Sequence, residues 1–293
     1  MHTEHEFRKG MLLAIAAYTM WGFAPLYFKL LAEVPATDIL LHRVLWSFVF
    51  TAMLMTLIGG FDKLKQLLRN PRQLGVLLIT SVLIAGNWLL FIWAVNNDHM
   101  LDASLGYYIN PLFNVLLGMI FLGERLRRLQ WLAVALAAAG VAVQLISFGS
   151  IPVVSLALAG SFGIYGLLRK KVKVDAKTGL LVETAILMPV ALGYLMMTLG
   201  SASHSMLVND WQLNLLLMAA GIVTTAPLLC FAGAAVRIPL SLLGFIQYIG
   251  PSIMFILAVT LYKEPFDIEK AITFGFIWTA LAIFSLDMLR RRG

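Results

Sequence analysis

Scattered through a strongly apolar chain are a few side chains able to bind, stack or carry charge, and several recur at helical spacings. Trp21 and Pro25 stand four apart. Proline removes a backbone donor and kinks a helix, freeing carbonyls that a cavity could use, while the indole can stack on a ring. Asn87 and Trp88 adjoin within one apolar run. Tyr107, Asn110 and Asn114 follow spacings of three and four, so they share one helix face with Pro111. Gln247, Tyr248, Pro251 and Ser252 repeat the arrangement further along. Amides and phenols in apolar surroundings need partners. Helix–helix hydrogen bonding explains any one of them alone; clustered beside helix-breaking prolines they point to a polar cavity. The expected substrate-binding set is Trp21, Arg43, Asn87, Trp88, Tyr108, Asn110, Asn114, Gln247 and Tyr248.

The charged candidates are fewer. Arg43 lies just inside an apolar run, where a cation costs a few kcal/mol unless it snorkels or faces water or a partner; its functional role would be a positive anchor for an anionic or polar substrate. Glu183 is the one carboxylate well inside such a run, which makes it a candidate proton carrier. The alternative is a structural pair, helped by the cationic stretch from Arg169 to Lys177 and by its place in the first turns of a helix. Glu124 and Glu264 each end an apolar run and are expected to hold neighbouring loops or to gate them by breaking and remaking those contacts. No metal-ligand cluster, phosphate loop or Ser/His/Asp set stands out, the five histidines are dispersed, and the single cysteine, Cys230, reads as packing. No metal, cofactor or catalytic residue is expected, and an intramembrane enzyme is disfavoured for want of a convergent catalytic pair.

The elements that must position these residues follow from composition. Sixty per cent of the 293 residues are apolar and 13% charged, where a soluble domain has about a quarter charged. The apolar runs match the ~20 residues a helix needs to span a bilayer and are too long for a barrel. Ten spans are expected, near 10–31, 37–58, 73–94, 99–122, 128–148, 151–169, 178–199, 212–234, 239–261 and 269–288. The first reads as a membrane helix rather than a cleavable signal, because it is long and carries Lys29 near its end. All but Lys29, Arg43, Lys263 and Lys270 of the 22 lysines and arginines fall at the termini or in alternate loops on one side. By the positive-inside rule both termini are cytoplasmic, and the net charge of +7 is topological rather than a nucleic-acid footprint.

The chain also matches itself at an offset of 140 residues. Tyr108, Pro111 and Glu124 correspond to Tyr248, Pro251 and Glu264; Leu89-Leu90-Phe91 falls on Leu229-Cys230-Phe231; and Arg43 falls on Glu183. A repeat of five spans enters the membrane upside down the second time, an arrangement typical of secondary transporters with substrate held between the halves. The halves would be 1–148 and 149–293. Arg43 and Glu183 would then sit near opposite faces, about 20 Å apart on a ~30 Å core, and are not expected to form a direct salt bridge in every state.

Particular stretches carry a family resemblance: Trp21-Gly22-Phe23-Ala24-Pro25, His42-Arg43, the run from Gly86-Asn87-Trp88 to Asn96, Gly106-Tyr107-Tyr108-Ile109-Asn110-Pro111-Leu112, Gly118 to Glu124, and Phe245-Ile246-Gln247-Tyr248-Ile249-Gly250-Pro251. Together they resemble the RarD branch of the EamA, or drug/metabolite, transporter superfamily over nearly the whole chain. The resemblance implies a ten-helix permease of the bacterial inner membrane built from two EamA repeats. Branch members are often labelled chloramphenicol-sensitive or chloramphenicol-resistance permeases, which leaves the physiological substrate open. The expected function is secondary active transport of small amphipathic or aromatic metabolites or drugs, without ATP since no nucleotide-binding motif is present. An amino-acid or related metabolite exchanger is the alternative, with a passive channel or membrane receptor behind it. The expected partners are a small-molecule substrate and the lipid bilayer, with no nucleic acid; the pattern leaves the oligomeric state open, a homodimer included.

Overall fold

Prolines and glycines set the ends of the helices. In the computed structural model, which describes residues 2–31, 33–96, 100–149, 151–197, 206, 209–261 and 268–289, the helices are α1 (His2–Lys29), α2 (Ala36–Ile58), α3 (Phe61–Leu68), α4 (Pro71–Asn96), α5 (Met100–Leu122), α6 (Arg128–Phe148), α7 (Val153–Val172), α8 (Ala176–Met197), α9 (Trp211–Ala235), α10 (Leu240–Gln247), α11 (Ile249–Thr260) and α12 (Ile268–Leu289). Pro35, Pro152 and Pro239 precede the first turns of α2, α7 and α10, where the missing N–H costs no helical bond. Between α2 and α3 the chain reverses through Gly59 at φ 77° and Gly60 at φ 118°, values that side-chain-bearing residues avoid. Asp175 opens α8 by accepting the Thr178 N–H at 2.9 Å.

Nine segments among the described residues are long and apolar enough to cross a membrane, with α10 and α11 together supplying one of them. The apolar part of α12, Ala271–Asp287, is shorter, but the whole helix has 22 residues and so rises about 33 Å, close to the hydrocarbon thickness. The protein is thus an all-helical, multi-pass membrane protein. Two features differ from expectation. The short α3 was not foreseen; its Leu67 is buried with Leu64 against Val172, Val174 and Val182, while Lys63 and Lys65 are exposed, Lys63 reaching Asp175 at 3.6 Å. The ninth span is broken at Tyr248. Pro251 removes the donor that the Gln247 carbonyl would otherwise receive, and the Tyr248 N–H turns instead to the Phe245 carbonyl three residues back, at 3.2 Å. Pro25, Pro111, Pro189 and Pro227 sit within helices that continue past them.

Helices that correspond at the 140-residue offset pack on one another: α2 on α8, α5 on α10 and α6 on α12. In the second pair the corresponding residues themselves touch, Tyr248 Oη donating to the Tyr108 carbonyl at 3.2 Å. Around these pairs, α1 lies against α9 and α11, and α7 against α5 and α4. Leu57, Ile146, Val190 and Met197 point outward, whereas Ser47, Thr51, Thr80, Ser81 and Thr225 are buried. Without water to drive apolar surfaces together, small residues and polar contacts join membrane helices. One close backbone junction is α2 on α9: a Cβ at Gly221 would lie 2.5 Å from the Trp46 carbonyl carbon and 2.6 Å from its oxygen. Gly221→Ala must therefore push the α2 and α9 backbones apart, and it should destabilise by about 1–3 kcal/mol. Gly75→Ala, in a helix with nothing within 4 Å of its Cβ position, should be neutral or stabilising. Thermal unfolding of the two variants in lipid nanodiscs checks the pair; equal midpoints would refute the close approach.

Candidate functional site

Residues three and four apart on α1 make the first wall of a cavity of about 250 Å³: Tyr18, Trp21, Pro25 and Phe28 share a face. Arg43 from α2 enters beside them, α4 adds Asn87, Trp88 and Phe91, and α5 adds Tyr107 and Asn110. Phe162 of α7, Thr224 and Leu228 of α9, and Gln247 and Pro251 at the α10–α11 break close the remaining sides. These residues lie in the later halves of α1 and α4 and the earlier halves of α2, α5 and α7. With Thr224 and Leu228 just past the middle of α9 and Gln247 and Pro251 near the middle of the α10–α11 span, the cavity reaches from mid-membrane toward the side farther from the start of α1.

Rings and amides divide the work. Trp21 lies 5.6 Å from Tyr18, 5.7 Å from Phe162 and 5.9 Å from Phe231 between ring centroids, and Tyr165 stacks on Phe231 beneath them. Polar groups form the floor. Tyr18 Oη donates to Gln247 Oε1 at 3.5 Å, Asn114 Nδ2 donates to the same oxygen at 3.2 Å and to Asn110 Oδ1 at 3.0 Å, and Asn110 Nδ2 donates to the Ala159 carbonyl at 2.8 Å. Asn87 joins α4 to α7, its Nδ2 donating to the Leu158 carbonyl at 2.9 Å and to Ser161 Oγ at 2.8 Å. Arg43 donates from Nε to Thr224 Oγ1 at 2.9 Å and lies over the rings of Trp88, at 4.6 Å, and Phe28, at 5.5 Å.

Below the cavity the helices pack closely. A Cβ at Gly163 would meet Phe113 at 2.6 Å, and one at Gly244 the Pro111 carbonyl at 2.6 Å. Glu124 accepts the Leu240 and Ser241 N–H groups at 2.6 and 2.9 Å and the Ser241 hydroxyl at 2.7 Å, so its carboxylate sits on the positive end of α10. Lys170 donates to the Ala235 and Ile238 carbonyls where α9 ends. Deeper, Glu183 is 1% exposed and accepts from Thr80 at 2.6 Å and Tyr165 at 3.3 Å, with Arg169 Nη1 at 3.7 Å.

Trp21, Arg43, Asn87, Trp88, Asn110 and Gln247 thus come together at one cavity. Tyr108, Asn114 and Tyr248 do not line it. Tyr108 is one residue, or about 100°, around α5 from the cavity-facing Tyr107 and packs on Phe274 at 5.6 Å. Asn114 lies one turn below Asn110, and Tyr248 is fully buried against Tyr108. Arg43 and Glu183 do not pair: each has other partners, in opposite halves. Glu264 lies outside the described residues. Tyr18, Phe28, Tyr107, Phe162 and Thr224 are lining residues that the sequence analysis did not select. Tyr18 and Phe28 carried a usable signal in their three- and four-residue spacing from Trp21 and Pro25. Tyr107 carried two, its face shared with Asn110 and its correspondence to Gln247 at the 140-residue offset. Phe162 and Thr224 had none.

The chain matches the model of the EamA-like transporter family over residues 8–146. It is 60% identical to an uncharacterised transporter of Vibrio cholerae, over 98% of this chain and 95% of that protein. It is 59% identical to the protein RarD of Escherichia coli, over 96% and 95%. A Pseudomonas aeruginosa protein named chloramphenicol-sensitive protein RarD is 32% identical over 96% and 95%. A crystal structure at 19% identity superposes with a TM-score of 0.73 over 96% of this chain and 98% of its own, a likeness of fold.

The Arg169–Glu183 pair, 1% exposed on both sides, makes a sharp stability prediction. Arg169→Met strands a buried carboxylate and should cost about 3–5 kcal/mol, whereas Arg169→Met with Glu183→Leu should recover most of that loss. Thermal unfolding of the single and double variants measures the difference; a double variant no more stable than the single would sink the pairing.

Proposed function

We propose that this chain, which belongs to the RarD branch of the EamA, or drug/metabolite, transporter superfamily, is a secondary active permease of the bacterial inner membrane that exports or exchanges small amphipathic or aromatic compounds by alternating access. The observation that carries this reading is a cavity of about 250 Å³ walled by aromatic rings, polar at its floor, and lying from mid-membrane toward one side of a bundle whose other side is held by close helix contacts and by Glu124 and Lys170. Such one-sided access is one end state of a carrier; a conducting pore would need a path through both halves. Residues 1–148 and 149–293 act as oppositely inserted repeats that rock about the shared pairs α2–α8, α5–α10 and α6–α12. With both termini cytoplasmic, as the lysine and arginine distribution favours, the cavity faces outward.

Opening the cytoplasmic half requires two sets of contacts to break. Glu124 must release the start of α10, which gives that residue a gating role, and the break at Tyr248 lets α10 swing without α11. The Arg169–Glu183 pair must separate or move as a unit. Protonating Glu183 would remove the counter-charge that holds Arg169, coupling proton entry to opening of that half. The name of the Pseudomonas aeruginosa relative makes amphenicols reasonable test ligands beside aromatic metabolites and amino acids.

Counterflow in proteoliposomes tests the carrier. Flux of a recognised compound should saturate and should be accelerated by the same compound on the far side, and Trp88→Ala and Asn87→Ala should each raise the half-saturating concentration by about tenfold, the effect of losing one ring stack or hydrogen bond. Flux that rises linearly with concentration and shows no counterflow would mean a pore. An unchanged pH profile in Glu183→Gln would remove proton coupling from the scheme and leave the cavity untouched.

A further inference from the structure

The charge inventory of the cavity names its cargo more narrowly, on the premise that the cavity is the substrate site. Arg43 is the one charged side chain lining it among the described residues; no aspartate, glutamate or lysine joins it. The guanidinium is also already fixed. Its Nε is occupied by Thr224 Oγ1 at 2.9 Å, and it lies over the rings of Trp88 and Phe28. Its two terminal nitrogens make no hydrogen bond to the described residues. A guanidinium held by Nε and by its faces is left with one free edge, where two parallel N–H groups match the two oxygens of a carboxylate. Arginine also loses little freedom on forming that pair once its plane is stacked.

The neighbouring polar groups have the same bias. Gln247 accepts through Oε1 from Tyr18 and Asn114, and neither its amide nitrogen nor the Tyr107 hydroxyl makes a hydrogen bond to the described residues. A neutral ligand would leave Arg43 without a counter-charge in a partly dry site, where an unpaired cation is costly. A cationic ligand would add a second positive charge with no carboxylate to offset either.

We infer that the cavity takes an aromatic monocarboxylate, its carboxylate end-on against Arg43 and its ring among Trp21, Trp88 and Phe162. One fixed cation balances one negative charge, so a dianion is disfavoured. The site discriminates by charge before it discriminates by ring.

Ligands sharing one skeleton test this directly: phenylacetate, phenylacetamide and 2-phenylethylamine, with acetate as the ring-free control. Thermal stabilisation and counterflow are read on the full-length protein in nanodiscs and proteoliposomes. Phenylacetate should bind at least about tenfold more tightly than the amide, the scale of one charge-assisted hydrogen-bonded partner, and the amine and acetate should show no response. Arg43→Gln should abolish the preference for acid over amide. Arg43→Lys, which keeps the charge but loses the fork, should retain some of it, provided the unliganded melting temperature of each variant matches the parent. Equal binding of acid and amide that is lost in Asn87→Ala would overturn the anionic class and leave the cavity as the substrate site. Acetate binding as well as phenylacetate would overturn the role of the ring, and no response to phenylacetate at any concentration would overturn the inference as a whole.

Discussion

Water is absent from the centre of a bilayer, so a polar group placed there must be satisfied by the protein, by trapped water or by cargo. Almost everything specific about this bundle follows from how it meets that demand. Hydroxyls are the least demanding, because one donor can turn back on its own helix. Thr51 bonds the Ser47 carbonyl at 2.7 Å, Ser81 that of Leu77 at 2.7 Å, and Thr184 that of Leu180 at 2.9 Å. Such residues leave the helix surface smooth and let neighbours approach, as Thr51 and Thr184 do across α2 and α8 at 3.5 Å. Amides carry two donors and an acceptor and cannot be satisfied that way. Asn87, Asn110 and Asn114 therefore reach to other helices, and in doing so they set where α4, α5, α7 and α10 sit around the cavity.

This hierarchy also explains what was legible in the sequence. Apolar runs of bilayer length show directly as spans, and the alternation of lysine and arginine gives an expected orientation, because both depend on composition alone. The amides stood out for the same reason: an asparagine in an apolar run needs an explanation, and Asn87 and Asn110 prove to line the cavity. Tyr108 and Tyr107 were harder to separate. Adjacent tyrosines differ only in helical phase, and choosing between them needs the position of α12, against which Tyr108 packs. Phe162 and Thr224 left no mark, since a phenylalanine or a threonine in a membrane helix is ordinary until the helices around it are placed. The short α3 was hidden by size: its eight residues lie in a basic loop and gain stability from tertiary contact rather than from length.

The break at Tyr248 shows how local chemistry and tertiary demand combine. Pro111 and Pro251 correspond at the repeat offset, yet α5 runs through its proline and the second helix does not. Proline supplies the weakness in both. In the second copy Gln247 is drawn into the floor by Tyr18 and Asn114, and Gly244, three residues earlier, is pressed against the Pro111 carbonyl. The contacts that make the floor are thus made at the point where the helix bends, so a ligand resting on that floor bears on the bend.

Two arginines inside the bundle, Arg169 buried and Arg43 half-buried, show where the remaining electrostatic demand lies. Arg169, in the closed half, has Glu183 as its counter-charge; Arg43, in the open half, has rings and one hydroxyl. While the cavity is accessible, water can solvate the free edge of Arg43. In the proposed alternation, closing that half would remove the water, and Glu183, which corresponds to Arg43 at the 140-residue offset, is held by Arg169, Thr80 and Tyr165 in the opposite half and cannot replace it. A carboxylate-bearing cargo supplies the missing charge, whereas the empty site does not. Occlusion should therefore be easier with cargo than without it, which is the energetic condition for exchange rather than leak: the same unpaired cation that selects the ligand also resists the empty carrier's return.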